Sequence, residues 1–159
     1  MVNAITFPAV TGEDIDVLAR TVFGEARGES FEGQCAVAQV IVNRAEIAQA
    51  YVALHGHAHP RFGNGTIRSA CQSAFKGIHQ FSCWNDGDPT KARMLAATDA
   101  DPTFVTAKTV ARLVTNGNET NRVDGCTHYF NPAVASPPWA AGKKPFATIG
   151  HHQFFNTVN

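Results

Sequence analysis

Apolar residues at Ile15, Leu18, Ala19, Val22 and Ala26 recur at the i, i+3, i+4, i+7 spacing of an amphipathic helix. Thr11 ahead of them, with the acidic Asp14 three residues on, supplies an N-cap in the manner of a capping box, and Gly28 is the expected stop. Ser30 caps a second predicted helix, in which Ala36, Val37, Ala38, Val40, Ile41 and Val42 are apolar nearly all round. A helix apolar on every side is a buried one, so this segment is expected at the centre of the fold. From about Ala50 to Gly65 the periodicity gives way to a loop containing His55-Gly56-His57-Ala58-His59-Pro60. Thr66 caps a short helix carrying Ile67, Ala70, Cys71 and Ala74, with its end placed at Gly77. Gln80-Phe81-Ser82-Cys83-Trp84 has no helical period, and Asn85-Asp86-Gly87-Asp88-Pro89 reads as a turn. Pro89 and Pro102 each suit the first position of a helix; the second of these shows Ala107, Val110, Ala111 and Val114 and stops at Asn116-Gly117.

From Gly125 onward the character changes. Two short aromatic segments, His128-Tyr129-Phe130 and Gln153-Phe154-Phe155, flank a Pro-rich loop around Pro137-Pro138-Trp139 and predict a small antiparallel strand pair. The fold class expected is mainly α (α+β), one domain over residues 1–159 with its core at about 11–155. At 159 residues the chain is long enough to bury such a core.

Composition and charge narrow the function. Thirteen basic and thirteen acidic side chains cancel, which argues against a strongly basic nucleic-acid binder and gives no global attraction to an anionic surface. No apolar run approaches the roughly 20 residues needed to span a membrane, so no membrane insertion is expected. Met1 to Val10 reads as an irregular leader without the basic and apolar regions of a secretory signal. Synthesis in the cytoplasm without a Sec-type address follows as an expectation. Cys35, Cys71, Cys83 and Cys126 match no zinc spacing; buried thiols are the plain reading, and Cys71–Cys83 is the closure to test first in an oxidising space.

The informative stretch is Val22-Phe23-Gly24-Glu25-Ala26-Arg27-Gly28-Glu29. At about 100° per residue, Glu25 falls near Leu18, on the edge of the apolar stripe, while Arg20 and Arg27 project elsewhere. A carboxyl held against apolar neighbours is disfavoured in its charged form, as a general acid for glycoside cleavage requires. A surface glutamate paired with an arginine is the competing reading, and helix geometry names no substrate.

Gly24-Glu25-Ala26-Arg27-Gly28-Glu29, then Glu32-Gly33-Gln34 and Ala36-Val37-Ala38-Gln39-Val40-Ile41-Val42-Asn43-Arg44, resemble the SleB-type cell-wall hydrolase family of spore-cortex-lytic and phage lysis enzymes. Gln80-Phe81-Ser82, Tyr129-Phe130-Asn131-Pro132 and Ile149-Gly150-His151-His152-Gln153-Phe154 extend the resemblance in order over residues 17 to 155. It implies a helical fold related to lysozymes and lytic transglycosylases, with a groove for peptidoglycan glycan strands and Glu25 as the catalytic acid. The bond implied is the β-1,4 link between N-acetylmuramic acid and N-acetylglucosamine. A lytic transglycosylase closes a 1,6-anhydro ring; a hydrolytic muramidase uses water and a second carboxylate about 5–9 Å away. Glu29, Glu32, Asp86 and Asp88 are the candidates for that group, and none carries a distinguishing motif.

Among further site candidates, Tyr129 suits a sugar contact, and Gln80, Phe81 and Ser82 suit the groove wall, with Phe81 either stacking on a sugar or packing inside. Glu29 reads chiefly as a loop-bracing carboxylate and His152 as a structural hydrogen-bonder, both at the edge of the substrate site. Asn43 in an apolar helix needs a buried partner. The run His55-x-His57-x-His59 lies in a Gly/Pro loop, so neither metal nor any other cofactor is expected, and a zinc-dependent wall amidase is the rival from another class. The expected setting is a monomeric phage endolysin, released to the wall through a holin-type pore, with a bacterial remodelling enzyme as the alternative.

Overall fold

A computed structural model of the chain describes residues 9–158; the expected leader lies outside them as far as residue 8. Helix α1 (Gly12–Ala26) begins at Thr11, whose hydroxyl accepts from Asp14 N–H while the Asp14 carboxylate accepts from Thr11 N–H, a complete capping box. Helix α2 (Phe31–His55) is capped by Ser30 and runs through the middle of the molecule. It continues five residues past the expected break because Gly56 takes the left-handed conformation (φ 75°) that terminates a helix. The short α3 (Ile67–Gln72), α4 (Pro89–Ala96) and α5 (Pro102–Thr115) come next, the last two with proline in their first turn and Asp88 or Asp101 as N-cap.

The segment after α3 departs from the helix expected to reach Gly77. Lys76 and Gly77 both have positive φ (52° and 79°), the geometry of a tight hairpin turn, and β1 (Ala74–Phe75) pairs there with β2 (Ile78–His79). A single 3-10 turn, Ser82–Trp84, leads on to α4. The C-terminal sheet has three strands where a pair was expected. β3 (His128–Phe130) and β4 (Ala147–Ile149) flank β5 (His152–Phe155), all antiparallel. The mainly helical architecture with small antiparallel sheets is as expected.

Two apolar clusters share α2. The larger gathers Leu18, Val22 and Phe23 of α1, Ala38 and Ile41 of α2, and Phe104, Val110 and Ala111 of α5. Phe23 and Phe104 meet edge to face at 6.0 Å, a contact worth about 0.5–1.5 kcal/mol beyond area burial. The smaller joins Ala36, Val37 and Val40 to Val123, Cys126 and Phe154 under the sheet. Tyr129 packs against both, so it marks the seam between helical core and sheet. Asn43 finds the buried partner it needs there: its amide donates to Val123 O at 3.1 Å and Cys126 O at 2.8 Å, tying the sheet's lead-in to α2. The four cysteines are all free thiols and buried.

Candidate active site at the seam of helix and sheet

The stripe that buries Leu18 and Val22 carries Glu25 to the last turn of α1, where core gives way to the seam. Gly24 beside it makes room. A Cβ at that position would lie 2.7 Å from Cys83 Cβ, so only glycine lets the Cys83 turn close on the helix. That closure brings Cys83 N–H to Glu25 Oε1 at 3.2 Å. From the other side the Tyr129 hydroxyl donates to Oε2, also at 3.2 Å. Burial first, and then the Glu25 charge, push the Tyr129 hydroxyl well above the usual phenol range, so it stays a donor. Among the described residues no cation forms an ion pair with Glu25. Arg20 caps the carbonyls of Met94, Leu95 and Ala97, and Arg27 lies over the Phe23 ring.

Glu25, Arg44, Gln80, Phe81, Ser82 and Tyr129 line a small open cleft of about 140 Å³. The fold thus brings Glu25, Tyr129 and the Gln80-Phe81-Ser82 run into one place. Phe81 is only 3% exposed and the Arg44 guanidinium sits 4.8 Å from its ring centroid, so its contact is with protein. Gln80 and Ser82 remain accessible at the wall. Glu25 is the one carboxylate of this lining.

Glu29 and His152 form an adjoining cluster. Glu29 accepts from His151 N–H at 3.1 Å and lies 2.9 Å from His151 Nδ1, bracing the turn between β4 and β5. Gly150 has φ 57°, and a Cβ there would come within 2.8 Å of Glu29 Oε2, so the brace and the glycine require each other. His152 Nδ1 approaches Glu29 Oε1 to 3.2 Å without hydrogen-bond alignment; burial keeps this imidazole below its usual pKa. The cluster meets the cleft through the Tyr129 ring, 4.9 Å from that of His152. Of the other carboxylates considered, Glu32 faces Arg122, Asp86 pairs with Lys91 and Asp88 caps α4.

Two contributors to the cleft are not among the site residues expected from the sequence. Cys83 acts through its backbone N–H, which no side-chain pattern announces. Arg44 had a detectable signal, since it lies four residues after Val40 and three after Ile41 and therefore falls on a buried face of α2. The histidine run closes around Tyr51, with ring centroids of His55, His57 and His59 at 4.2, 5.5 and 4.9 Å. Among the described residues no three His, Cys, Asp or Glu side chains are grouped to hold a metal.

Residues 28–155 match the model of the family described as Cell Wall Hydrolase. The chain belongs to that family. The matched span includes Gln80, Phe81, Ser82, Tyr129 and His152 and begins just after Glu25. A spore cortex-lytic enzyme of Halalkalibacterium halodurans is 32% identical over 155 residues, 97% of this chain and 38% of that protein. Its Bacillus subtilis counterpart is 31% identical over 148 residues, again 38% of its length, so the chain spans well under half of these curated relatives. Among solved structures, the catalytic domain of the germination-specific lytic transglycosylase SleB from Bacillus anthracis superposes with a TM-score of 0.65. That match has 25% identity and covers 94% of this chain and 98% of the other.

Proposed function

We propose that this chain is a peptidoglycan lytic transglycosylase cutting between N-acetylmuramic acid and N-acetylglucosamine, with Glu25 as its single acid and base. The observation that carries the reading is the cleft itself, in which Glu25 is the sole carboxylate and is held from two sides by Cys83 N–H and the Tyr129 hydroxyl. Family membership and the names of the relatives support the substrate class, and the geometry supports the division of labour.

With substrate in the cleft, protonated Glu25 gives its proton to the bridging oxygen as the bond to the muramic C1 breaks and positive charge grows on the ring. The glucosamine end leaves as an alcohol. The carboxylate left behind takes the proton of the muramic C6 hydroxyl, and that oxygen bonds to C1, closing the 1,6-anhydro ring. No water enters and Glu25 ends protonated. One carboxylate serves both halves. The hydrolytic route asks for a second at about 5–9 Å, and Glu29, Glu32, Asp86 and Asp88 are each committed to a partner or a cap. The Cys83 and Tyr129 donors fix the carboxylate, which is the positioning such chemistry needs.

Mass spectrometry of fragments released from purified sacculi tests this directly. Anhydro-muropeptides are the expected product; reducing muramic ends would replace the reading with a hydrolytic muramidase. The setting is a separate proposal. The relatives are named for the spore cortex; a phage endolysin released by a membrane pore is the competing proposal. Clearing of vegetative sacculi in preference to isolated cortex supports the phage setting, and the reverse preference refutes it.

A further inference from the structure

Arg44 is a buried cation that forms no ion pair among the described residues. It is 5% exposed, and its guanidinium lies 4.8 Å from the Phe81 ring centroid and 5.1 Å from that of Phe62. Nε donates to Thr127 O at 2.7 Å. Nη1 is shut off from water with no hydrogen-bond partner, and among the described residues no carboxylate forms an ion pair with the group. Burial lowers its pKa to about 10, with Tyr129 and Glu25 opposing the shift, so the charge survives at neutral pH. A buried donor left unpaired is costly, and one in a native fold calls for an explanation. The Thr127 bond accounts for Nε alone. Arg44 also lines the cleft that holds Glu25, Tyr129, Gln80 and Ser82.

We propose that Arg44 is a substrate-binding residue, whose guanidinium donates from the side that lines the cleft to an acyl oxygen of the muramyl sugar seated there. The proposal rests on the glycan-cleaving function proposed for the chain. Guanidinium is a donor-only group, so its match is an acceptor with free lone pairs. Sugar hydroxyls are served by Gln80 and Ser82, which both donate and accept. An acyl oxygen suits the rigid fork, and the Phe62 and Phe81 contacts fix its orientation before substrate arrives. A muramyl unit offers two such oxygens, the acetamido carbonyl and the lactyl acyl group.

The Glu25→Gln chain, which keeps the cleft but cannot donate the proton, allows binding to be read without cleavage. Calorimetric titration with tetra-N-acetylchitotetraose, which has acetamido groups only, and with a muramyl-containing tetrasaccharide separates the two oxygens. Adding Arg44→Lys keeps the charge and the reach to Thr127 O while removing the fork. It should weaken the muramyl sugar by about 10- to 100-fold. A matching loss for chitotetraose assigns the acetamido oxygen; a loss confined to the muramyl sugar assigns the lactyl one. Unchanged affinity for both sugars overturns the proposal and leaves the transglycosylase reading standing. Failure of the Glu25→Gln chain to bind either sugar overturns both. Arg44→Ala with added guanidinium ion separates binding from folding. Recovered muramyl affinity supports the assignment, and no recovery in a chain that melts near the parental temperature contradicts it.

Discussion

Replacing Gly24 with alanine would insert one methyl group between α1 and the Cys83 turn. The new carbon would sit 2.7 Å from Cys83 Cβ, 2.9 Å from its Sγ and 3.1 Å from Met94 Sδ. Met94 can swing aside, but Cys83 Cβ is fixed to the backbone. In an open helix this exchange stabilises by about 1 kcal/mol. Overpacking a filled core costs about 1–3 kcal/mol, and contact with a rigid atom belongs at the upper end. The difference is a net loss of about 2 kcal/mol, or about 4–8 °C in Tm for a chain of this length. Relief of the overlap moves the Cys83 turn, and with it the N–H that holds Glu25 Oε1. Misplacing the acid relative to the reacting bond is costly, so lysis should slow by about 10-fold or more. Thermal unfolding monitored by circular dichroism, together with turbidity clearing of sacculi, reads both effects. Pairing Gly24→Ala with Cys83→Gly removes the opposing Cβ and should return part of the lost Tm. A Gly24→Ala chain that melts at or above the parent and clears at the parental rate would refute the close approach.

Tyr129→Phe removes the hydroxyl on Glu25 Oε2 but keeps the ring against Phe154 and His152. It should lower the clearing rate by about 10- to 100-fold with Tm nearly unchanged, and full activity would show that the contact does not matter. His128 is held down to about 4 from its ordinary 6.5, by burial first and then by the charges of Arg44, Arg61 and Lys143. Below pH 6.5 the unfolded chain therefore takes up a proton that the folded one refuses, and stability falls as pH drops towards 4, where the loss levels off. Denaturant titrations should show His128→Asn flattening that slope; an unaltered slope contradicts the assignment.

How much of the fold is legible in the sequence depends on how local each signal is. Thr11, Ser30, Thr66, Pro89 and Pro102 act on the residues next to them, and each helix start was legible from these alone. Ends were harder. Gly56 and Gly77 are both punctuation, but one closes a helix and the other turns a hairpin. The difference lies in the next residues of the chain: Ile78 and His79 pair back onto Phe75 and Ala74, whereas His57 and Ala58 find no such strand. Strand β4 escaped notice because Ala147-Thr148-Ile149 gains its strand character only by pairing with β5. The site divides in the same way. Glu25 stood out through its motif and its place on the apolar stripe. Its partners Cys83 and Tyr129 lie 58 and 104 residues away, and contacts over such separations are products of the whole fold. Arg44 was passed over because arginine in a helix ordinarily faces water.

Everything in the proposed chemistry passes through one carboxyl group, and exchanging it for an amide tests that most directly. Glu25→Gln preserves size and the Cys83 contact while removing the proton that must move. The account predicts a chain that melts close to the parental temperature and releases almost no fragments from purified sacculi. Clearing at the parental rate by the folded variant would contradict it.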